Sequence, residues 1–413
     1  MPHPTPEPPG LEWIAGGHVT TPAGFRAGGA YAGIKTYGDD PRLDIGILGS
    51  DGPLTVAGIF TKNAVTGISV TWDKSVLAKR RVVRGLVCNS GNANTVTGDQ
   101  GERDCARMAA LAAARLGCDP REILVGSTGV IGRLLPMDKV EHGLAEVALT
   151  EDGGLRFARA IMTTDTHEKQ AAVRITAAGR TYTIGGCAKG AGMIHPDMAT
   201  MFAFITTDAP ADPAWLEATL RDIASRTYNM IDVDMDTSTS DTALLLASGL
   251  AGGEPLTATH PAAGAVAAAI EAVARHLACG IARDAEGATC LIEAVVEGAA
   301  SVEDARVVAR TITSSPLIKT MVTGRDPNWG RIMMAAGRSG AQFEAARTSV
   351  WIGDIQVLQV GQPTEANLKA VSRAMAGEDV QLRIHLGAGS EAATAWGCNL
   401  TAEYVSINAD YTT

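Results

Sequence analysis

Apolar positions recur along this chain with two periods. Over 103–116 they return every third or fourth residue and put Met108, Leu111, Ala112 and Leu116 near one stripe, which predicts an amphipathic helix. Asp212 followed by Pro213 predicts a second helix start, a capping side chain ahead of a first-turn proline, with Leu216, Leu220 and Ile223 facing inward. The stretch 261–278 reads as an alanine-rich helix closed by Gly280. Thr364 is expected to cap a shorter helix whose Leu368, Val371 and Met375 point inward before Gly377 stops it. Strands are predicted at 54–61, 82–88, 123–125, 201–205, 243–246 and 349–357, and Val380, Leu382, Ile384 and Leu386 alternate as a half-buried one. The run 400–407 predicts a last strand that ties down the C-terminal tail.

Strands outnumber helices and no regular βαβ rhythm appears, so mixed or antiparallel sheets with helices outside are expected. At 413 residues and 46% apolar composition, two domains or two closely packed halves follow. A net charge of −10 without a concentrated basic run argues against nucleic acid or an anionic membrane as partner. The chain shows no obvious run of about 18 apolar residues, and its opening, MPHPTPEPPG, lacks the basic and apolar regions of a secretory signal. A cytoplasmic protein that handles small molecules is the resulting expectation. Seven cysteines without a CxxC pair suit a reducing compartment. The eight histidines show no zinc spacing, and neither a P-loop nor a GxGxxG after a strand occurs, so no metal and no cofactor are expected.

The stretch that most invites chemistry is KGAGMIHPDMATMFAFITTD at 189–208. It places the Ala199 to Thr200 junction between a glycine-rich turn and a buried apolar strand. A hydroxyl is a poor nucleophile, and one solution is an N-terminal threonine whose own α-amine acts as base. Such an amine titrates near ~8, so much of it accepts a proton at neutral pH. Thr200 acquires one only if the bond before it is cut. On pattern alone, a β-branched residue starting a core strand is the preferred explanation of the position. His195, five residues earlier, also invites a general-base reading, although the α-amine already supplies that function.

KGAGMI at 189–194 followed by MATM at 198–201 resembles the self-cleavage site of the ornithine acetyltransferase (ArgJ) family of arginine biosynthesis. Further blocks similar to that family run in order along nearly the whole chain: NSGNAN at 89–94, STGVIG at 127–132, TTDT at 163–166, DTST at 236–239, DPNWGR at 326–331 and INADYTT at 407–413. The resemblance implies a layered α/β/β/α sandwich of two lobes with an N-terminal nucleophile. It implies self-cleavage into chains 1–199 and 200–413 and an assembly of two of each. Acetyl would pass from N-acetylornithine to Thr200 and then to glutamate, with acetyl-CoA as a second donor left open.

It further implies an oxyanion hole at Thr128 and Gly129, which follow the strand 123–125. Substrate contacts are implied at Thr166, Lys189, Thr200, Glu286, Asn408 and Thr413, with Glu286 holding the positive side chain of ornithine. Three positions depart from the family pattern: Met235 where glycine is usual, Ser240 where asparagine is common, and Cys290 where lysine often stands. Two rivals are an N-terminal-nucleophile aminopeptidase or amidase of similar fold and a non-catalytic amino-acid sensor.

Overall fold

The computed structural model describes residues 7–35, 42–79, 82–195 and 201–410. The first sheet contains β1 (Leu11–Trp13), β2 (Arg26–Ala30), β3 (Ile45–Phe60), β4 (Val82–Asn92), β5 (Ile123–Val130), β6 (Lys169–Ala177), β7 (Arg180–Lys189) and β8 (Phe202–Thr207). After β9 (Ile231–Asp232), which belongs to the second sheet, β10 (Thr242–Ala247) completes it. The order is β1-β6-β7-β8-β10-β3-β4-β5, with β2 on the first part of β3. Long strand β3 pairs with β10 along its last residues and with β4 along its first, and its register against β4 shifts between Gly49 and Leu54. Such an irregularity bends and twists a strand, and here the sheet doubles back into two facing layers. Leu48, Leu86, Cys88 and Leu124 of one layer share a buried cluster with Cys187, Phe202, Phe204 and Leu244 of the other.

Helices cover both outer faces. α1 (Ile68–Lys79), α2 (Gly98–Leu116), α3 (Met137–Glu146) and α4 (Gly154–Ala160) belong to the N-terminal half. Met108 and Ala112 of α2 and Val140 and Leu144 of α3 pack on Ile47, Val87, Ile123 and Val125. The other face carries α5 (Pro213–Arg226) and α6 (Ala263–Arg283). Period-two alternation in β8 serves both cores: Phe202 and Phe204 point between the layers, and Ala203 and Ile205 point at α5 and α6. The second sheet, ordered β14-β13-β12-β15-β11-β16-β9, adds β11 (Leu291–Ala299), β12 (Ser349–Ile352), β13 (Ile355–Gln359), β14 (Gln362–Pro363), β15 (Asp379–His385) and β16 (Glu391–Cys398). α7 (Val302–Thr313), α8 (Pro316–Gly324), α9 (Gly330–Gly337), α10 (Leu368–Ala374) and α11 (Ala402–Asp410) accompany it. α6 touches both sheets, so one core runs from β6 to β11. The protein is thus a mixed α/β fold with two sheets, the class that the resemblance implied.

Several expected boundaries move. The alanine-rich helix runs past Gly280 to Arg283, because Ile281 and Ala282 continue its buried stripe. By length and composition this helix could cross a membrane; Glu271 and Arg275 interrupt the apolar run and hid that property in the sequence, and half of the relevant window is buried inside the protein. Asn367, not Thr364, caps α10 by accepting from the amides of Lys369 and Ala370, whereas the Thr364 hydroxyl donates to the Gln356 carbonyl at 2.7 Å. The run 349–357 is a hairpin turned at Gly353, where φ is +56°. The expected strand over 400–407 is helix α11 instead. The expected boundary at 199/200 lies outside the described residues, but β7, ending at Lys189, and β8, starting at Phe202, are neighbours in the first sheet. Described residues on either side of it therefore share the first sheet, while the second sheet is built from the later residues alone.

Candidate active site

Parallel strands β4 and β5 end together, with Gly91 opposite Gly129. Both take positive φ, +114° and +127°, and a Cβ on Gly129 would lie 2.3 Å from the Gly91 carbonyl carbon and oxygen. Only glycine fits that close approach. Ser127 braces the break by accepting from the Asn94 amide at 2.9 Å and donating to the Asn92 carbonyl at 3.1 Å. Thr128 and Gly129 thereby reach one wall of an open pocket. Thr163, Thr164, Lys189, Gly192 and Met193 line it from the N-terminal half, and Ser238, Thr239, Ser240, Glu286 and Asn408 from the C-terminal half. The pocket sits where the two layers part.

A buried chain of charges backs one side. Asp165, between the two pocket threonines and Thr166, accepts from Lys169 Nζ at 2.6 Å, the Gly190 amide at 2.7 Å and the Thr163 amide at 2.9 Å. Burial alone would raise the Asp165 carboxyl, but the ammonium groups of Lys169 and Lys189 and the Gly190 amide hold it well below the usual carboxylate range. Lys169 also reaches Asp284 at 2.6 Å. Lys189, at the end of β7, is 2% exposed. Burial lowers its pKa while Asp165, Asp241 and Glu286 pull the other way. Thr166, expected among the substrate contacts, is not in the lining: its hydroxyl and amide both donate to Asp284. The same TTDT block supplies Thr163 and Thr164 instead.

Opposite Lys189, Glu286 is 8% exposed and accepts from Asn408 Nδ2 at 2.8 Å. Asn408 is the expected tail residue, delivered by a helix: Tyr404 and Asn408, four residues apart on one face of α11, meet Asp234 at 3.3 Å and Glu286. Asp234 also accepts from the amides of Met193 at 2.6 Å and Ile194 at 3.0 Å. The segment before the expected cleavage point is thereby bolted to 232–236 and to the tail. Met193 and Met235 carry this clamp at φ +58° and +69°, a left-handed geometry that disfavours side chains. A glycine at position 235, the residue that the resemblance leads one to expect there, would relieve this geometry.

His195 gives Nδ1 to a contact with buried Asp232 at 2.9 Å, and Lys319 Nζ stands 3.0 Å from the other oxygen of the same carboxylate. Ser240 lines the pocket; Cys290 does not and is buried at the start of β11. Ala199, Thr200 and Thr413 lie outside the described residues. Met201, which follows Thr200, donates its amide to Asp241 Oδ1 at 2.9 Å. Asp165, Lys169, Asp241 and Asp284 had no role in the sequence reading, although the first three stand in or beside a block that resembles the family and Asp284 stands two residues before Glu286.

The model of the ArgJ family matches residues 26–413. The arginine biosynthesis bifunctional protein ArgJ of Symbiobacterium thermophilum is 49% identical, over 98% of this chain and 100% of the relative. Its counterpart in Dehalococcoides mccartyi is 45% identical over 98% and 99%. A crystal structure of the Bacillus halodurans protein of that name, 41% identical, covers 51% of this chain and 98% of its own at a TM-score of 0.49.

Proposed function

The chain belongs to the ArgJ family, and from that premise we propose a self-processing N-terminal-threonine mechanism for it. The protein is an acetyltransferase of arginine biosynthesis. In the proposed cycle Thr200 first attacks the Ala199 carbonyl and divides the precursor into chains 1–199 and 200–413. Its freed amine then takes the hydroxyl proton, the acetyl group of N-acetylornithine passes to Oγ, ornithine leaves, and glutamate accepts the acetyl group. Thr128 and Gly129 stabilise the oxyanion in both acyl transfers. Glu286, held by Asn408, pairs with the ornithine ammonium, and Lys189 receives a substrate carboxylate. Thr163 and Thr164 take the place first given to Thr166. We assign acetyl-CoA no residue.

One observation carries this reading: a single pocket sets Thr128 and Gly129 across from a buried lysine and a buried glutamate, matching a zwitterionic amino acid that carries an acyl group. A cytoplasmic assembly of two 1–199 and two 200–413 chains belongs to the same proposal, and sedimentation of the native protein tests it. Intact mass of the purified protein tests processing. Two fragments are expected from wild type and one unbroken, inactive chain from Thr200→Ala. Initial rates then test the cycle, since one activated hydroxyl with one set of contacts gives parallel lines as glutamate is varied. Acetate release that ignores glutamate would favour the aminopeptidase reading.

A further inference from the structure

Beside Thr128 and Gly129 the pocket changes character. Among the described side chains that line it, Ala93, Ile131 and Met193 are apolar and the others carry hydroxyl, amide or charged groups. Met193 belongs to the glutamate side: Asp234 holds its amide at 2.6 Å, and a Cβ on neighbouring Gly192 would meet the Glu286 carboxylate. Ala93 and Ile131 stand elsewhere. They are the first residues past the paired ends of β4 and β5, where Asn92 lies opposite Val130. The Ala93 amide still donates to the Val130 carbonyl at 2.9 Å, the Gly132 amide to the Thr95 carbonyl at 3.0 Å, and the Asn94 amide to Ser127 Oγ at 2.9 Å. These bonds fix the backbone around both residues, next to the Gly91–Gly129 approach.

The two differ in burial. Ala93 is 2% exposed, whereas Ile131 is 39% exposed and lies outside the buried clusters. A singly exposed isoleucine is ordinary. An apolar pair flanking Thr128 and Gly129, in a pocket otherwise lined by polar groups, has a use. An acyl carbonyl carbon is planar with three substituents. With its oxygen toward Thr128 and Gly129 and its amide nitrogen leading to Lys189 and Glu286, the alkyl group takes the remaining direction. Against hydroxyls or charges it would displace their water without replacing the hydrogen bonds; against Ala93 and Ile131 it would not.

We infer that Ala93 and Ile131 form the acyl subsite and set the length of acyl group the enzyme accepts, admitting a methyl group and disfavouring a longer chain. This rests on the proposed assignment of Thr128 and Gly129 to the oxyanion. Buried Ala93 is the floor, where a larger side chain would occupy the place of the methyl group. Ile131 is the outer wall, which a longer acyl chain would strike. The substrates so selected are short, unbranched N-acyl amino acids.

The test is kcat/KM for transfer to glutamate from N-formyl-, N-acetyl- and N-butyrylornithine in wild type, Ile131→Ala and Ala93→Val. Dividing the ratio of two donors in a variant by the same ratio in wild type cancels the intrinsic reactivity of the acyl groups and any loss of folded enzyme. One methylene in an apolar pocket is worth about 10- to 200-fold in kcat/KM. Ile131→Ala should therefore raise the butyryl-to-acetyl ratio by about tenfold or more, and Ala93→Val should lower the acetyl-to-formyl ratio by about tenfold or more. A purely structural role would slow all donors alike and leave both ratios in place. An unmoved butyryl-to-acetyl ratio in Ile131→Ala overturns the inference, and because Ile131 is exposed, that variant decides alone if Ala93→Val does not accumulate. Thr128→Ala separates the two layers of argument. If it is slowed while the ratios stay put, only the acyl subsite falls; if it keeps the wild-type rate, the oxyanion assignment falls and the subsite with it.

Discussion

Gly192→Ala isolates the glutamate from the rest of the machinery. A methyl group at position 192 would lie 2.6, 2.6 and 2.7 Å from Cδ, Oε2 and Oε1 of Glu286. Ordinary contact begins near 3.4 Å, so the carboxylate must retreat by roughly 0.8 Å, enough to misplace a reacting or binding group severely. Gly192 does not have a positive φ, and the obstructing atoms are the mobile end of one side chain. The fold should therefore survive, with a stability change within about 1 kcal/mol. The 2.8 Å bond from Asn408 and the proposed contact to the ornithine ammonium should both lengthen beyond use. Loss of one charged hydrogen bond is worth about 1.5 to 3 kcal/mol, or roughly 10- to 150-fold in kcat/KM. The assay compares N-acetylornithine with N-acetylnorvaline, which has the same backbone and lacks the terminal amine. Gly192→Ala should lower kcat/KM for the first by that factor, barely affect the second, and leave processing intact by mass. Equal loss on both donors, or no loss on either, would refute the assignment of Glu286 to the ammonium.

Gly129→Ala should cost about 1 to 3 kcal/mol in backbone strain, with overlap against the Gly91 carbonyl adding to it, so thermal melts should fall and both processing and turnover should slow together. Met235→Gly should leave the melting temperature unchanged or raised, because relief of a left-handed side chain (about 1 to 2 kcal/mol) roughly offsets the added chain entropy of glycine; Met235→Val, branched at Cβ, should melt lower than wild type. Asp73 is fully buried and bonded to the Val125 amide at 2.8 Å, and burial pushes its carboxyl well above the usual range. A carboxyl raised in the folded state favours folding at low pH and loses that contribution as pH rises above its unfolded value near ~3.9. Denaturant titrations should therefore show the stability of Asp73→Asn relative to wild type growing with pH above about 4, and a constant difference would contradict the burial argument.

Sequence alone was enough for whatever depends on neighbours along the chain. Asp212 before Pro213 capped α5 as expected, with its side chain accepting from Ala214 and Trp215, because a cap is a local exchange of hydrogen bonds. The unbroken apolar run at 201–205 marked β8, and the ordered blocks sufficed for the family. Two families of features were out of reach. Where a helix ends or how a tail folds depended on distant partners. Ile281 keeps α6 going because other strands bury it, and 402–410 is helical with Tyr404 and Asn408 answering Asp234 and Glu286 from over a hundred residues away. Which threonines of TTDT face the pocket was also tertiary: Thr163 and Thr164 line it, whereas the amide and hydroxyl of Thr166 donate to Asp284 at the end of α6. Periodicity and motif are properties of short segments, whereas the pocket exists only because bent strand β3 folds one layer of the sheet over the other.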